Sequence, residues 1–124
     1  MNDDEHLTAA QYKALCDKAI HSTVSKGVKY DAGKPRIGLL FAMGPALVQV
    51  VRVLEHGLEK YPDAKNWQRV EDGAARYIDA AGRHLLDYAG GSEKDPYSGL
   101  HPLAHAACDV LFALWHATCR PVDK

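Results

Sequence analysis

Four polar residues interrupt a long apolar run near the C-terminus: His101, His105, Asp109 and His116 within HPLAHAACDVLFALWHA. At 100° per residue they fall within an arc of about 80° on one helix. An apolar helix with a single polar stripe must turn that stripe to water, to partner groups or to a ligand. Left buried and unpaired, each such group costs about 1–3 kcal/mol. His105 and Asp109 stand four residues apart, so they can share a hydrogen bond or a metal ion. The plainer reading is a helix end and a satisfied core His–Asp pair that fixes packing.

Three further groups carry the same kind of double reading. Glu55 and Glu59 lie one turn apart, where two carboxylates repel unless a cation neutralises them. Mg2+ uses one or two carboxylates plus substrate phosphates, so this pair suits a metal–nucleotide site. The alternative is an exposed helix end, with Glu59 paired to Lys60 or Arg52. Arg76, Asp79, Arg83 and Asp87 form one stripe of a helix. As a solvated face their ion pairs contribute only tenths of a kcal/mol. Arg83 and Asp87, nearest the Gly90-Gly91 turn, are the stronger candidates for a site. His84 lies off that stripe, on the side of Tyr77 and Ala81. Finally, Lys29-Tyr30-Asp31-Ala32-Gly33-Lys34-Pro35-Arg36 sets three cations around a glycine. Glycine lets backbone approach an anion, and Lys34 and Arg36 can neutralise phosphate. An ordinary solvated loop has the same composition. Trp67 can stack on a base or plug the core between helices.

These groups need elements to hold them. The spacing predicts a first helix from an N-cap at Thr8 to about His21, with Leu7, Tyr12, Leu15 and Ile20 on one side. Residues 22–43, with three glycines and Pro35, read as loop and turn. A second helix is predicted from Gly44-Pro45 to about Tyr61, where Pro62 stops it. It is apolar nearly all round, which points to burial or a subunit interface. A third spans about 71–89 and ends at Gly90-Gly91. A fourth runs from His101-Pro102 to about Thr118. The loops at 62–70 and 92–100 are polar. The expected fold is therefore an all-α, four-helix bundle-like single domain over 1–124, and because the helices at 45–60 and 102–118 carry more apolar surface than one small body needs, it is expected as a homodimer. Residues 1–6 and 120–124 are expected to be loose tails.

Composition narrows the function classes. The chain has 124 residues, 15 Lys+Arg, 16 Asp+Glu and a formal charge of -1. A near-zero balance argues against coating a nucleic-acid polymer. No uninterrupted apolar run approaches about 18 residues, and the acidic start has no apolar stretch behind it, so neither a membrane span nor a secretory signal is expected. Cys16, Cys108 and Cys119 form no CxxC pair and read as reduced thiols of a cytoplasmic protein.

Several blocks occur together in order: Lys29-Tyr30-Asp31-x-Gly33-Lys34-Pro35-Arg36, Lys60-Tyr61, Asn66-Trp67, Arg83-His84-Leu85, Asp95-x-x-Ser98-Gly99-Leu100 and Leu103-Ala104-His105-Ala106-Ala107. Across about residues 28–115 this pattern resembles the phage and prophage family of dATP/dGTP diphosphohydrolase N-terminal domains. The resemblance implies an all-α body and cleavage of a purine (deoxy)nucleoside triphosphate to monophosphate and pyrophosphate, in a phage-infected or prophage-carrying cytoplasm. It implies a divalent metal, Mg2+ first, with Mn2+ or Zn2+ as alternatives. On that reading Glu55, Glu59, Asp87 and Asp109, with His105, are the candidate metal ligands. His84, His105 and Asp109 are the candidate catalytic residues. Lys29, Lys34, Arg36 and Arg83 would meet phosphate, and Trp67 or Tyr30 the base. The carboxylates here are spaced ExxxE, where related helical pyrophosphohydrolases show ExxE. Two other classes stay open: a module that binds a nucleotide or nucleotide signal without cleaving it, and a helical adaptor whose His–Asp stripe only satisfies an interface.

Overall fold

The computed structural model describes residues 7–20 and 25–119. The expected loose tails, and His6 and His21, lie outside the described residues. Among the described residues there are four α-helices and no strand: α1 (Ala9–Ile20), α2 (Gly44–Lys60), α3 (Gly73–Ala89) and α4 (Pro102–Thr118). The chain divides into two compact units, residues 1–35 and 36–124.

The first unit holds α1. Its start is a reciprocal cap. The Gln11 N–H donates to Thr8 Oγ1 at 3.1 Å, and the Thr8 N–H donates to Gln11 Oε1 at 2.6 Å. Leu7, Tyr12 and Leu15 on its apolar side are exposed. Beyond it, Asp31 to Lys34 makes a turn closed by the Lys34 N–H on the Asp31 carbonyl, with Gly33 at φ 80°. Only a residue without Cβ takes that φ without strain.

The second unit is built on α3 and α4, which pack along each other, with α2 lying on α4. Small residues make the close approach possible: Ala81 of α3 and Ala104, Ala106 and Ala113 of α4 are all buried. Val53, Ala104 and Cys108 form the centre, covered by Val50, Leu100 and Phe112. The packed body is thus three helices, with α1 in the other unit.

One expectation changes here. Ile37–Met43 is a 3-10 helix, not loop, and it runs straight into α2. The stretch IGLLFAM lacks an internal breaker other than Gly38, and the tighter winding opens on the Leu39 N–H to the Arg36 carbonyl. Together Ile37–Lys60 forms 24 helical residues whose most apolar window has mean hydropathy 1.9 and is 6% buried. By length and composition alone this is enough to cross a membrane, although no uninterrupted apolar run reveals it. Only Val53 of α2 is buried in one chain, while Val48, Val51, Leu54 and Leu58 are 41–53% exposed. The apolar circumference of α2 is therefore not explained by burial within a single copy.

Candidate active site

The polar stripe of α4 does three different jobs along its length. At the N-terminus, His101 is the cap: its Nδ1 accepts from the Leu103 N–H at 3.0 Å. At the other end, His116 is 5% exposed and its Nε2 bonds the Trp67 carbonyl at 2.7 Å. Its ring also lies against Tyr77 and Trp115. Gly73 opens α3 directly beneath this ring, and a Cβ there would overlap it. His116 is thus a core histidine.

Between these ends lie His105 and Asp109. Both line a cleft of about 650 Å³ between α2, α4 and the 62–70 connection. Its apolar wall comes from α2, including Val53 and Leu54, and from Phe112. Its rim carries Glu55, His56, Lys60 and Asn66, while Trp67 and Tyr77 add aromatic surface. A mostly apolar hollow with a few convergent polar groups is the usual form of a small-molecule site.

His105 is held from both sides. Its Nε2 meets Ser98 Oγ at 2.6 Å, and its ring stacks on His84 with centroids 4.7 Å apart and planes 20° apart. His84 reaches across from α3, its Nε2 3.7 Å from Asp109 Oδ2. The other ring nitrogen of His84, Nδ1, is buried without a partner. Burial pushes the His105 imidazole below its ordinary value, and the neighbouring His84 adds to that. Burial also pushes the Asp109 carboxyl up to about 6, with the Arg83 charge pulling partly back. The pair therefore combines a neutral imidazole with a carboxyl poised near neutral pH, the range in which general acid–base groups work best. Cys108, beside them, has its thiol pushed up to about 12 by burial and by Asp109, and is inert as a nucleophile.

The remaining candidates are dispersed. Glu55 lines the cleft but is paired to Arg52 at 2.8 Å, both side chains more than half exposed. Glu59 is exposed, 3.5 Å from His56 Nδ1. Arg83 and Asp87 are exposed on α3, as are Arg76 and Asp79. Glu59, Asp87 and Arg83 are outside the cleft lining. Among the described residues, no three His, Cys, Asp or Glu side chains come together as a group that could hold a metal ion. The four carboxylates expected as ligands are therefore not gathered by one chain into a metal cage. Trp67 serves the core: one face stacks on Phe112 at 4.3 Å and its edge meets Trp115. Lys29 and Lys34 lie exposed in the first unit, and Arg36 is exposed at the start of the second.

Sequence reasoning left Ser98, Asp95 and Gly73 without roles. For the first two there was a signal, since Asp95-x-x-Ser98-Gly99 is a turn motif placed seven residues ahead of His105. For Gly73 there was none, because its need is a contact with a residue 43 positions away.

Comparison with known proteins adds an independent line. A family model described as dATP/dGTP diphosphohydrolase, N-terminal, matches residues 24–123. A dATP/dGTP diphosphohydrolase of Salmonella phage PMBT28 is 38% identical over 98 residues, covering 78% of this chain and 32% of that protein. The chain thus spans about a third of the length of this curated relative. No solved structure matches it.

Proposed function

Since the chain belongs to the dATP/dGTP diphosphohydrolase N-terminal family, we propose that its cleft receives a purine deoxynucleoside triphosphate and takes part in its cleavage to monophosphate and pyrophosphate. The observation that carries this reading is that His105 and Asp109, the latter 3.7 Å from His84, stand on the wall of one apolar, aromatic-lined cleft. The apolar wall suits a base, and Tyr77 and Trp67 add aromatic surface to the lining. Asp109, ionised above about pH 6, accepts a proton from the attacking water. His105, held neutral, orients that water or a phosphate oxygen. His84 backs both and keeps them in place. Lys60 at the rim balances phosphate charge, the main electrostatic task in such transfers.

A divalent cation, Mg2+ first, is proposed as a companion of the triphosphate. Mg2+ is often held largely by phosphates and water, with one or two carboxylates. A second copy of the chain is proposed to cover the exposed apolar face of α2. Sedimentation of Val51→Lys as a monomer beside a dimeric wild type supports that arrangement, and a monomeric wild type removes it. The cytoplasm of an infected or lysogenic host is the proposed setting.

A second reading is favoured by one fact: the chain matches only 32% of its relative. On that reading the chain binds a nucleotide or nucleotide signal without cleaving it. Incubation with each dNTP and Mg2+ or Mn2+, with and without chelator, separates the two. Pyrophosphate release lost in Asp109→Ala supports hydrolysis. Tight binding without product supports the second reading, and no binding of any nucleotide overturns both.

A further inference from the structure

The loop between α3 and α4 is fixed far more firmly than a connector requires. The Asp95 N–H donates to the Leu100 carbonyl at 2.7 Å, and the Asp95 carbonyl accepts from the Gly99 N–H at 2.8 Å. The side chain adds two more bonds, since Oδ2 accepts the N–H groups of Tyr97 at 3.0 Å and Ser98 at 2.9 Å. Gly99 sits at φ 73°, a conformation that favours glycine and lets the chain close on itself. Burial alone would raise the Asp95 carboxyl, but the Ser98 and Tyr97 N–H groups outweigh it and hold it below its ordinary range. The carboxylate is therefore the anchor of the turn.

The turn delivers one hydroxyl. Ser98 Oγ accepts the Leu100 N–H at 3.1 Å, which occupies one of its two lone pairs. His105 Nε2 stands 2.6 Å from the same oxygen, within reach of its proton. The face of the same ring stacks on His84, with centroids 4.7 Å apart. A hydroxyl that donates to Nε2 leaves the ring proton on Nδ1, because a neutral imidazole carries one N–H.

We propose that Ser98, anchored by Asp95, is a positioning residue that locks His105 in its Nδ1–H tautomer at the wall of the cleft. It acts through His105 and need not touch substrate. The consequence for turnover rests on the hydrolytic reading above; the tautomer does not.

The test reads both separately. The ring nitrogens of His105 are observed by 15N NMR in the intact chain at neutral pH, with His105→Gln identifying the signals. Wild type is expected to show an unprotonated Nε2 and a protonated Nδ1. Ser98→Ala is expected to give a mixture of tautomers, and Ser98→Thr, which keeps the hydroxyl, to restore one. If the chain releases pyrophosphate, Ser98→Ala lowers kcat by up to about 100-fold with KM little changed, and Ser98→Thr recovers most of it. A protonated Nε2 in wild type overturns the proposal even if Ser98→Ala fails to fold. So does a folded Ser98→Ala whose His105 tautomer is unchanged. A wild type with the expected tautomer but no turnover leaves the proposal standing and counts against the hydrolytic reading alone.

Discussion

His105 and His116 belong to one stripe of one helix, yet they differ in nearly everything that decides reactivity. His116 is 5% exposed, bonded to a backbone carbonyl and packed among aromatic rings over a glycine. His105 lines a cleft and is bonded to a side-chain hydroxyl. Beside it stands a carboxyl whose proton affinity burial has raised. The difference lies in what each meets across the helix pair. Trp67 and Gly73 close around His116, whereas α2 stands back from His105 and leaves the hollow open. Equal residue types at equal spacing thus become a structural pin at one end and a candidate site at the other.

The comparison breaks most visibly in turnover. His105→Ala is predicted to lower pyrophosphate release by roughly 10²-fold or more, the range of a lost orienting group, with little change in melting temperature. His116→Gln should do the reverse. Equal loss of activity in both would erase the distinction. Stability gives the next largest effect. Gly73→Ala forces a methyl into the His116 ring and is predicted to cost about 1–3 kcal/mol, read as a lowered denaturation midpoint at unchanged slope. An unshifted midpoint would mean that the end around His116 is loosely packed.

The pH dependence sharpens the contrast. Asp109 titrates at about 6 when folded and 3.8 as a free side chain. Between those values the folded chain holds more protons than the unfolded one, so stability falls as pH rises through that window. Asp109→Asn removes this loss, with a predicted gain of about 1–3 kcal/mol at pH 7 and none near pH 3.5. His105 acts in the opposite sense. Its lowered value means that the unfolded chain takes up the proton first, so stability is lost as pH falls below 6.5 toward the folded value. Chemical denaturation across pH 3.5–7.5 separates the two, and a flat difference between wild type and Asp109→Asn would refute the buried carboxyl. The smallest effect is expected at the rim. Arg52→Ala breaks an exposed ion pair with Glu55 and should change stability by roughly 0.2–1 kcal/mol, fading with salt.

Much of this was legible in the sequence. Pro45 and Pro102 mark helix starts by a fixed φ and Gly90-Gly91 marks an end by conformational freedom, and α2 and α4 begin, and α3 ends, close to where those residues place them. That His105 and Asp109 share one face of α4 follows from helical period alone, but their partners do not: His105 bonds Ser98, and Asp109 faces His84. What periodicity does not contain is the neighbour. His101, His105 and His116 look alike on a wheel, and only packing against α3 and the 62–70 connection tells them apart. The Glu55 and Glu59 pair shows the same limit, since their i, i+4 spacing is real but their partners are Arg52 and His56. Ile37–Met43 was hidden because short 3-10 winding carries no long period, and Gly38 within it reads as a breaker.

The central claim is that the His105 end of α4 is the reactive one. Pyrophosphate release from dATP and dGTP, measured at pH 7 with Mg2+ for wild type and His105→Ala side by side, tests it most directly. The account predicts product from wild type and near-complete loss in the variant, with both proteins folded. Undiminished release by a folded His105→Ala would contradict it.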